Sequence, residues 1–211
     1  KPGGAANVAL NLCGLGATVT LIGVAGNDRN NTELKKCLTA QEKIKNEIID
    51  LGPRPTTVKT RVIADGRQIV RLDNEVTEEI SDKQVSLLVD RFDSHCNDVD
   101  GIIIQDYNKG LFTKRLITHV IDHARDREIP VYVDPKYCNY ESFKGVRLFK
   151  PNQKEYLAIV KDKNFRSLPG SGFDFKKYMK AEILLLTLGS DGMSLYHDSD
   201  HESIPTKARQ V

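Results

Sequence analysis

The stretch VDGIIIQDYNKG, residues 99–110, decides the fold class of this 211-residue chain. Its three consecutive isoleucines lie between a glycine and a polar Gln-Asp pair, a pattern typical of a short strand buried on both faces. The next segment, TKRLITHVIDHARDRE at 113–128, has the apolar spacing of an amphipathic helix, and PVYVD at 130–134 predicts a second strand. A strand, a helix and a second strand in this order indicate one unit of a parallel sheet.

The same alternation extends in both directions along the chain. Strands are predicted at 18–26, 146–152, 182–189 and 192–198, and helices at 4–14, 32–40, 77–96 and 153–161. The segment 42–51 fits either a strand or a helix, and RSLPGSGFDF at 166–175 predicts a surface loop. We therefore expect an α/β fold over residues 1–211, with a mostly parallel central sheet flanked by helices in a single domain.

One segment departs from this alternation. Residues 57–74 contain two stretches of alternating apolar and polar residues joined by an Asp-Gly pair at 65–66, which is the strongest short hairpin signal in the sequence. Because a hairpin does not fit among parallel strands, we expect it to project from the α/β body as a small β flap.

The composition excludes several classes of function. A net charge of +2 does not indicate binding to nucleic acid or to an anionic membrane. No apolar run approaches the ~20 residues needed to cross a bilayer. The sequence does not start with basic residues followed by an apolar stretch, so it carries no sign of secretion. The four cysteines are widely spaced without a CxxC pair, so we expect reduced thiols in a cytoplasmic protein.

Polar residues follow four of the predicted strands at the point where each strand ends. They are Asp106 and Lys109, Asp134 and Lys136, Asn152 and Glu155, and Thr187 and Gly189. In an open parallel sheet, ligands bind outside the carboxyl ends of the strands, so we expect these residues to share one site.

The first two pairs also have a purely structural interpretation. Asp106 either binds a hydroxyl or makes an Asx turn, and Lys109 either binds a phosphate or is simply solvated. Asp134 and Lys136 either flank a phosphate and its metal or form a surface ion pair.

The segment that starts at Asn152 is more informative. Asn152 can cap a helix by accepting a hydrogen bond from the N–H of Glu155. The same helix N-terminus offers free N–H groups and a partial positive charge to a phosphate, and Glu155 can hold Mg²⁺ through water. The segment TLGSDGM at 187–193 offers glycines for close approach to a nucleotide, or makes a simple turn before a strand.

Six segments of the chain together resemble the ribokinase-type carbohydrate kinases: GGAANVALNLCGLGA, TTVKTRVIADGRQIVRLD, QDYNKGLF, VDPK, KPNQKEY and LTLGSDGM. Within that family, the combination of KTRVIA, RQIVRLD, DYNKG and VDPK is most similar to the D-glycero-β-D-manno-heptose 7-phosphate kinases. The branch includes the kinase half of the bifunctional enzymes of ADP-heptose synthesis. The resemblance implies a ribokinase-like fold with a β lid at 57–74. It also implies transfer of the γ-phosphate of ATP to the anomeric hydroxyl of the sugar, with ATP and Mg²⁺ as cofactors.

The resemblance also implies roles for individual residues. Sugar-binding positions correspond to Gly3, Gly4, Asn7, Arg71, Asp106 and Lys109, and ATP-binding positions correspond to Asn152, Gln153, Lys154, Glu155, Thr187 and Gly189. Glu155 would organise Mg²⁺, with Asp134 and Lys136 supporting the phosphate and the metal. The two glycines would let backbone N–H groups approach sugar hydroxyls, to which Asn7 offers a donor and an acceptor.

Two parts of the family pattern are not found within residues 1–211. Family members begin with a strand that carries a GDxxxD-type sugar-binding aspartate, and their DVTGAGD-like motif would begin just after Val211. The glycines of that motif form an anion hole, and its aspartate is the general base. We therefore expect a chain truncated at both ends, with the catalytic base following Val211, and we expect residues 1–211 alone to be inactive.

Other functions stay open at this point. One is a ribokinase-type kinase for ribose, fructose or 2-keto-3-deoxygluconate, and another is a catalytically inactive relic that binds a sugar or a nucleotide. Lys109 and Lys136 add positive charge and favour the phosphorylated heptose, a precursor of the lipopolysaccharide core. The resemblance further suggests a homodimer through the apolar hairpin residues Val62, Ile69 and Leu72, and a fused nucleotidyltransferase domain.

Overall fold

The computed structural model describes residues 1–162 and 170–206, and the chain divides into two compact units. The first unit consists of Lys1–Cys96 and Lys109–Thr113, and the second consists of Asn97–Asn108 and Lys114–Val211. Among the described helices, none is both long and apolar enough to cross a membrane.

The first unit begins with two helices that alternate with two parallel strands. They are α1 (Gly4–Gly14), β1 (Val19–Ala25), α2 (Arg29–Thr39) and β2 (Ile44–Asp50). β1 and β2 pair in parallel along their whole length, which identifies the ambiguous segment 42–51 as a strand. The small side chains of α1 allow the helix to pack closely on β1, and the buried core consists of Ala6, Ala9, Leu21, Leu38 and Ile44.

Side-chain caps determine where two helices of this unit begin. Asp28 accepts the N–H of Asn31 at 2.9 Å, so α2 starts three residues before its predicted start. Ser81 and Gln84 form a reciprocal capping box at the start of α3 (Asp82–Asp93). The residues between β4 and Ser81 are therefore not helical, and the predicted helix at 77–96 is shorter at both ends.

The hairpin predicted around the Asp-Gly pair is confirmed. It consists of β3 (Val58–Ala64) and β4 (Arg67–Asn74), which pair antiparallel. Asp65 and Gly66 have φ angles of 49° and 72°, both in the left-handed region that a two-residue turn of this type requires.

The hairpin has two chemically different faces, because directly opposite residues of paired strands point to the same side. The apolar face contains Val58, Thr60, Val62, Val70 and Leu72, and the charged face contains Lys59, Arg61, Arg71 and Asp73. The register shifts after Val62, which pairs with Val70, whereas Ile63 pairs with Gln68. Ile69 is the extra residue of this bulge and has no partner in the register.

The second unit contains the central sheet. Its elements are β5 (Ile102–Gln105), α4 (Lys114–Asp126), β6 (Val131–Asp134), a 3₁₀ turn (Tyr137–Phe143), β7 (Leu148–Phe149), α5 (Gln153–Asp162), α6 (Gly170–Met179), β8 (Ile183–Thr187), a short 3₁₀ turn (Gly189–Asp191), β9 (Met193–His197) and β10 (Asp200–Ile204). The strand order is β10-β9-β8-β7-β6-β5. β5 to β8 are parallel and β8 to β10 are antiparallel, which confirms the expected mostly parallel α/β sheet.

Three details of the second unit differ from the predictions. α6 begins at Gly170 within the predicted loop at 166–175, because Phe175 and Met179 are buried on the sheet, and residues 163–169 lie outside the described part. β10 was not predicted, since all five of its residues are exposed and mostly polar. β5 is the edge strand of the described sheet, and its Ile103 is 44% exposed, so this strand is not buried on both faces.

Candidate functional site

The parallel strands of the second unit bring predicted polar residues to one edge of the sheet. Asp106 follows β5, Asp134 ends β6 and Thr187 ends β8. The N–H of Asp106 donates to the carbonyl oxygen of Asp134 at 3.0 Å, and Asn152 pairs with Thr187 through a parallel bridge. These residues therefore lie along the carboxyl edge of the sheet, where ligands of such folds bind.

Asn152 and Glu155 close the N-terminus of α5 by a reciprocal pair of hydrogen bonds. The N–H of Glu155 donates to Oδ1 of Asn152 at 3.0 Å, and the N–H of Asn152 donates to Oε2 of Glu155 at 2.9 Å. This confirms the predicted capping box. The other N–H groups of the first turn give the end of the helix a partial positive charge, which attracts anions.

The carboxylate of Glu155 is 9% exposed and also pairs with the ammonium group of Lys136. Burial opposes the charged form of Lys136, but the hydrogen bond and charge of Glu155, together with Asp134, outweigh it and raise the pKa of the ammonium group. Asp134 itself pairs with Lys150, Oδ2 to Nζ, at 3.0 Å. The suggested ion pair between Asp134 and Lys136 is therefore replaced by two pairs with other partners.

Asp134 and Glu155 together have the chemistry of a magnesium site. Both carboxylates raise the pKa of the Lys136 ammonium group, Glu155 more than Asp134. Mg²⁺ prefers hard oxygen ligands and is usually bound by one or two carboxylates and several waters. The donor set of these two residues fits that ion.

A cavity of about 730 Å³ opens beside the N-terminus of α5. It is lined by Asn152, Gln153, Lys154, Thr187, Leu188, Gly189, Gly192, Met193, Ile204, Pro205 and Thr206. Five of the six residues expected to bind ATP are in this lining, and the sixth, Glu155, faces Lys136 instead. The volume is typical of small-molecule sites, in which a few polar groups lie beside apolar ones.

The β9–β10 side of this cavity was missed by the sequence analysis. Ile204 ends β10, a strand whose exposed polar sequence gives no strand signal, and Thr206 follows it. A Cβ atom at Gly192, where φ is 91°, would lie 2.0 Å from the carbonyl oxygen of Ile204, so glycine lets the end of β10 approach. The glycines at 189–192 were the available signal, but they do not reveal which segment comes close.

Replacing Asn152 by alanine is expected to lower the free energy of unfolding of the full-length protein by about 1 kcal/mol, because a helix cap is lost. Its side chain also lines the cavity, so the KM for ATP is expected to rise about three- to ten-fold. Ser81→Ala removes the equivalent cap of α3 and serves as the matched control. If steady-state kinetics give the same KM for ATP in both variants, the expectation that this cavity binds ATP is wrong.

Asp106 is 3% exposed, and both of its carboxylate oxygens accept hydrogen bonds. Oδ1 accepts the N–H of Asn108 at 2.7 Å, which confirms an Asx turn, and Oδ2 accepts Nδ2 of Asn139 at 2.9 Å. Asn108 has a φ angle of 51°, in the left-handed region that such turns tolerate. Asp106 therefore orders the loop after β5. Asn139 gave no sequence signal, because it lies in an irregular 3₁₀ turn.

The predicted sugar-binding residues of α1 lie at the start of the first unit. Gly3 is the N-cap of α1, which has no side-chain cap, and Asn7 is exposed one turn into the helix. Gly4 has a φ angle of 55°, so its backbone conformation favours glycine, whereas Gly3 has extended backbone and open space around it. The backbone conformation therefore favours glycine at Gly4 and not at Gly3, and the sugar-binding roles of both residues stay predictions.

Lys109, also in the first unit, is held at both its side chain and its backbone. Its ammonium group pairs with Glu75, and its carbonyl oxygen accepts a hydrogen bond from the guanidinium group of Arg54. The same guanidinium group donates to the carbonyl oxygens of Val76 and Glu78 at 2.9 and 3.0 Å. Lys109 is therefore fixed against the residues that follow β4. Arg54 was missed, since nothing in the sequence indicates three backbone partners.

Comparison with known proteins identifies the family. The sequence pattern of the pfkB family carbohydrate kinases matches residues 1–211. The chain belongs to the pfkB family of carbohydrate kinases. Among curated relatives, it is 37% identical over 211 residues to "Bifunctional protein HldE" of Sulfurimonas denitrificans, covering 99% of this chain and 44% of the relative. It is also 37% identical over 212 residues to HldE of Geobacter sulfurreducens, covering 99% of this chain and 43% of that protein.

Solved structures of phosphofructokinase-2 from Escherichia coli show the same fold. The tetrameric inhibited form of phosphofructokinase-2 from Escherichia coli superposes with a TM-score of 0.77 at 19% identity, covering 99% of this chain and 69% of that one. The complex of the same enzyme with fructose-6-phosphate gives a TM-score of 0.75 at 20% identity, covering 98% of this chain and 69% of that one. The ribokinase-like fold is thus confirmed, and the chain spans less than half the length of the curated relatives it matches.

Proposed function

We propose that the full-length protein transfers the γ-phosphate of ATP to the anomeric hydroxyl of D-glycero-D-manno-heptose 7-phosphate and releases the 1,7-bisphosphate. The similarity to HldE over nearly the whole chain supports this substrate more than any other sugar. The product would be a cytoplasmic precursor of ADP-heptose for the lipopolysaccharide core. The relatives are bifunctional and more than twice as long as this chain, which supports a second, nucleotidyltransferase domain in the full-length protein.

The observation that carries the proposal is the cavity at the N-terminus of α5. It brings the first turn of a helix, with its free N–H groups, beside the ammonium-bearing residue Lys154 and the glycine-containing turn after Thr187. Backbone N–H groups and one lysine suit the phosphates of ATP. The apolar residues Leu188, Met193 and Ile204 suit the base.

Glu155 and Asp134 are the residues that would hold Mg²⁺ in this protein. When bound, the ion would supply positive charge to the phosphates of ATP, since phosphoryl transfer depends on positioning and on neutralising charge. Lys136 contributes a further positive charge at the same edge of the sheet. The general base is not assigned within residues 1–211, because the resemblance places it just after Val211, and these residues alone are proposed to be inactive.

The experiment that tests this function is ADP release by the full-length protein with Mg²⁺-ATP and one acceptor at a time. The acceptors are the heptose 7-phosphate, ribose, fructose and 2-keto-3-deoxygluconate. We expect turnover with the heptose phosphate alone. Turnover with another sugar would show that this sugar, and not the heptose phosphate, is the substrate. Binding of ATP without any turnover would favour an inactive relic.

We also propose that two copies of the chain pair through the apolar face of the hairpin. Val62 and Leu72 are 43% and 58% exposed on that face, and Val70 lies beside them at 43%. Replacing Leu72 by lysine is expected to convert a dimer of the full-length protein to a monomer in sedimentation experiments, because a charge cannot be buried there unpaired. Gln68→Lys, near the turn, is the control, and a Leu72→Lys variant that stays dimeric would contradict the interface.

A further inference from the structure

The charged face of the hairpin contains a pair of like charges. Arg61 and Arg71 lie directly opposite each other across the two strands. Like charges in that position destabilise a strand pair. The positive charge of Arg71 is partly neutralised by Asp73, whose Oδ1 lies 2.9 Å from Nε of Arg71. No ion pair joins Arg61 to any other residue in the described ranges.

A chain of ion pairs continues from Arg71 to another cation. Lys59 lies between Asp73 and Glu75, with Nζ 2.9 Å from an oxygen of each carboxylate. Glu75 in turn pairs with Lys109. Two residues expected to bind the sugar, Arg71 and Lys109, are therefore the two ends of one network that the sequence did not reveal.

The network and Arg61 together carry an excess of positive charge. Lys59 and Lys109 hold the pKa values of Asp73 and Glu75 below their usual ranges, and Asp73 above all raises the pKa of Lys59. All three groups are ionised near neutral pH. Four cations, Lys59, Arg61, Arg71 and Lys109, and two carboxylates leave a net charge of +2.

These charges suit a phosphate group. Guanidinium groups bind phosphate oxygens through parallel hydrogen bonds, and two of them side by side offer two such forks. A phosphate monoester carries close to two negative charges at neutral pH, so it would neutralise the excess and remove the repulsion between the two arginines. Lys59 is already held by two carboxylates and acts on the site by keeping Asp73 and Glu75 in place.

We propose that Arg61 and Arg71 together bind the phosphate group of the acceptor, and that Arg61 makes the protein select a phosphorylated sugar over an unphosphorylated one. The inference rests on the proposed function, because it names how that function distinguishes its acceptor. It adds a residue, Arg61, to those expected from the sequence.

The test is Arg61→Met in the full-length protein, compared with Arg67→Met. Arg67 lies on the same hairpin and is also exposed, but its cross-strand neighbour is Ala64, so its removal changes the charge without touching the arginine pair. We expect Arg61→Met to raise the KM for the sugar phosphate about 10- to 100-fold, the range typical of a hydrogen bond to a charged group, with the KM for ATP unchanged. Arg61→Lys should recover part of the loss, since it keeps the charge without the fork.

Each outcome decides between the inference and the function on which it rests. If the heptose phosphate is turned over but Arg61→Met matches Arg67→Met, the inference is wrong and the function stands. If only another phosphorylated sugar is accepted and Arg61→Met raises its KM, the inference stands and the heptose is wrong. If only an unphosphorylated sugar is accepted, both are wrong. If there is no turnover at all, the function is wrong, and calorimetry decides the inference by whether Arg61→Met weakens binding of the heptose phosphate.

Discussion

Replacing Gly110 by alanine is expected to lower the free energy of unfolding of the full-length protein by about 3 kcal/mol. Gly110 has a φ angle of 69°, which costs an L-residue energy, and a Cβ atom there would lie 1.9 Å from the carbonyl oxygen of Glu78. The backbone must then move, and the N–H of Ile80 would lose the hydrogen bond that it donates to Gly110 at 2.9 Å. Because Lys109 is adjacent, we also expect weaker binding of the sugar phosphate.

Gly66 provides a matched control for this prediction. Its φ angle is 72°, nearly the same as that of Gly110, but a Cβ atom there would have no heavy atom within 4 Å. Gly66→Ala therefore measures the backbone cost alone, which we expect to be about 1 kcal/mol. Denaturant unfolding of both variants decides the matter, and equal losses would show that the contact with Glu78 is unimportant.

Replacing Glu155 by glutamine is expected to reduce kcat about 10²- to 10³-fold, the size of effect seen when a group that stabilises charge at a reacting centre is removed. Glutamine can still accept the N–H of Asn152, so the cap of α5 survives. The variant loses the negative charge that pairs with Lys136 and that would hold Mg²⁺. We therefore expect a higher Mg²⁺ concentration for half-maximal activity and only a small change in stability.

Glu182→Gln is the control for this charge removal. Glu182 is in the same unit and pairs with Arg147, but its side chain is 60% exposed and lies outside the lining of the cavity. Its kcat and Mg²⁺ dependence should match those of the unaltered protein. A Glu155→Gln variant with the same kcat as this control would show that the carboxylate caps α5 and pairs with Lys136 without taking part in the reaction.

The parts of the fold that were predicted correctly are those with strong local signals. The Asp-Gly pair at 65–66 requires a particular turn, and the isoleucines of β5 have few alternatives to a strand. α6 and β10 were missed because tertiary contacts decide them. Phe175 makes α6 stable by packing edge-on against Tyr156, and β10 exists through its pairing with β9.

The candidate site was predictable to the extent that topology places strand ends together. The reciprocal cap of Asn152 and Glu155 follows from a spacing of three residues, which the sequence shows directly. The pair between Lys136 and Glu155 joins residues 19 apart in the chain, and local spacing carries no information on it. The same holds for Lys59, because its two carboxylate partners, Asp73 and Glu75, are brought to it by the cross-strand register.

The most direct test of the central claim is to identify the product that the full-length protein makes from Mg²⁺-ATP and D-glycero-D-manno-heptose 7-phosphate. We expect a sugar that carries a second phosphate on its anomeric carbon, detected by phosphorus NMR, with one ADP formed for each bisphosphate. Formation of ADP without a bisphosphate, or a new phosphate on any other hydroxyl, would contradict it.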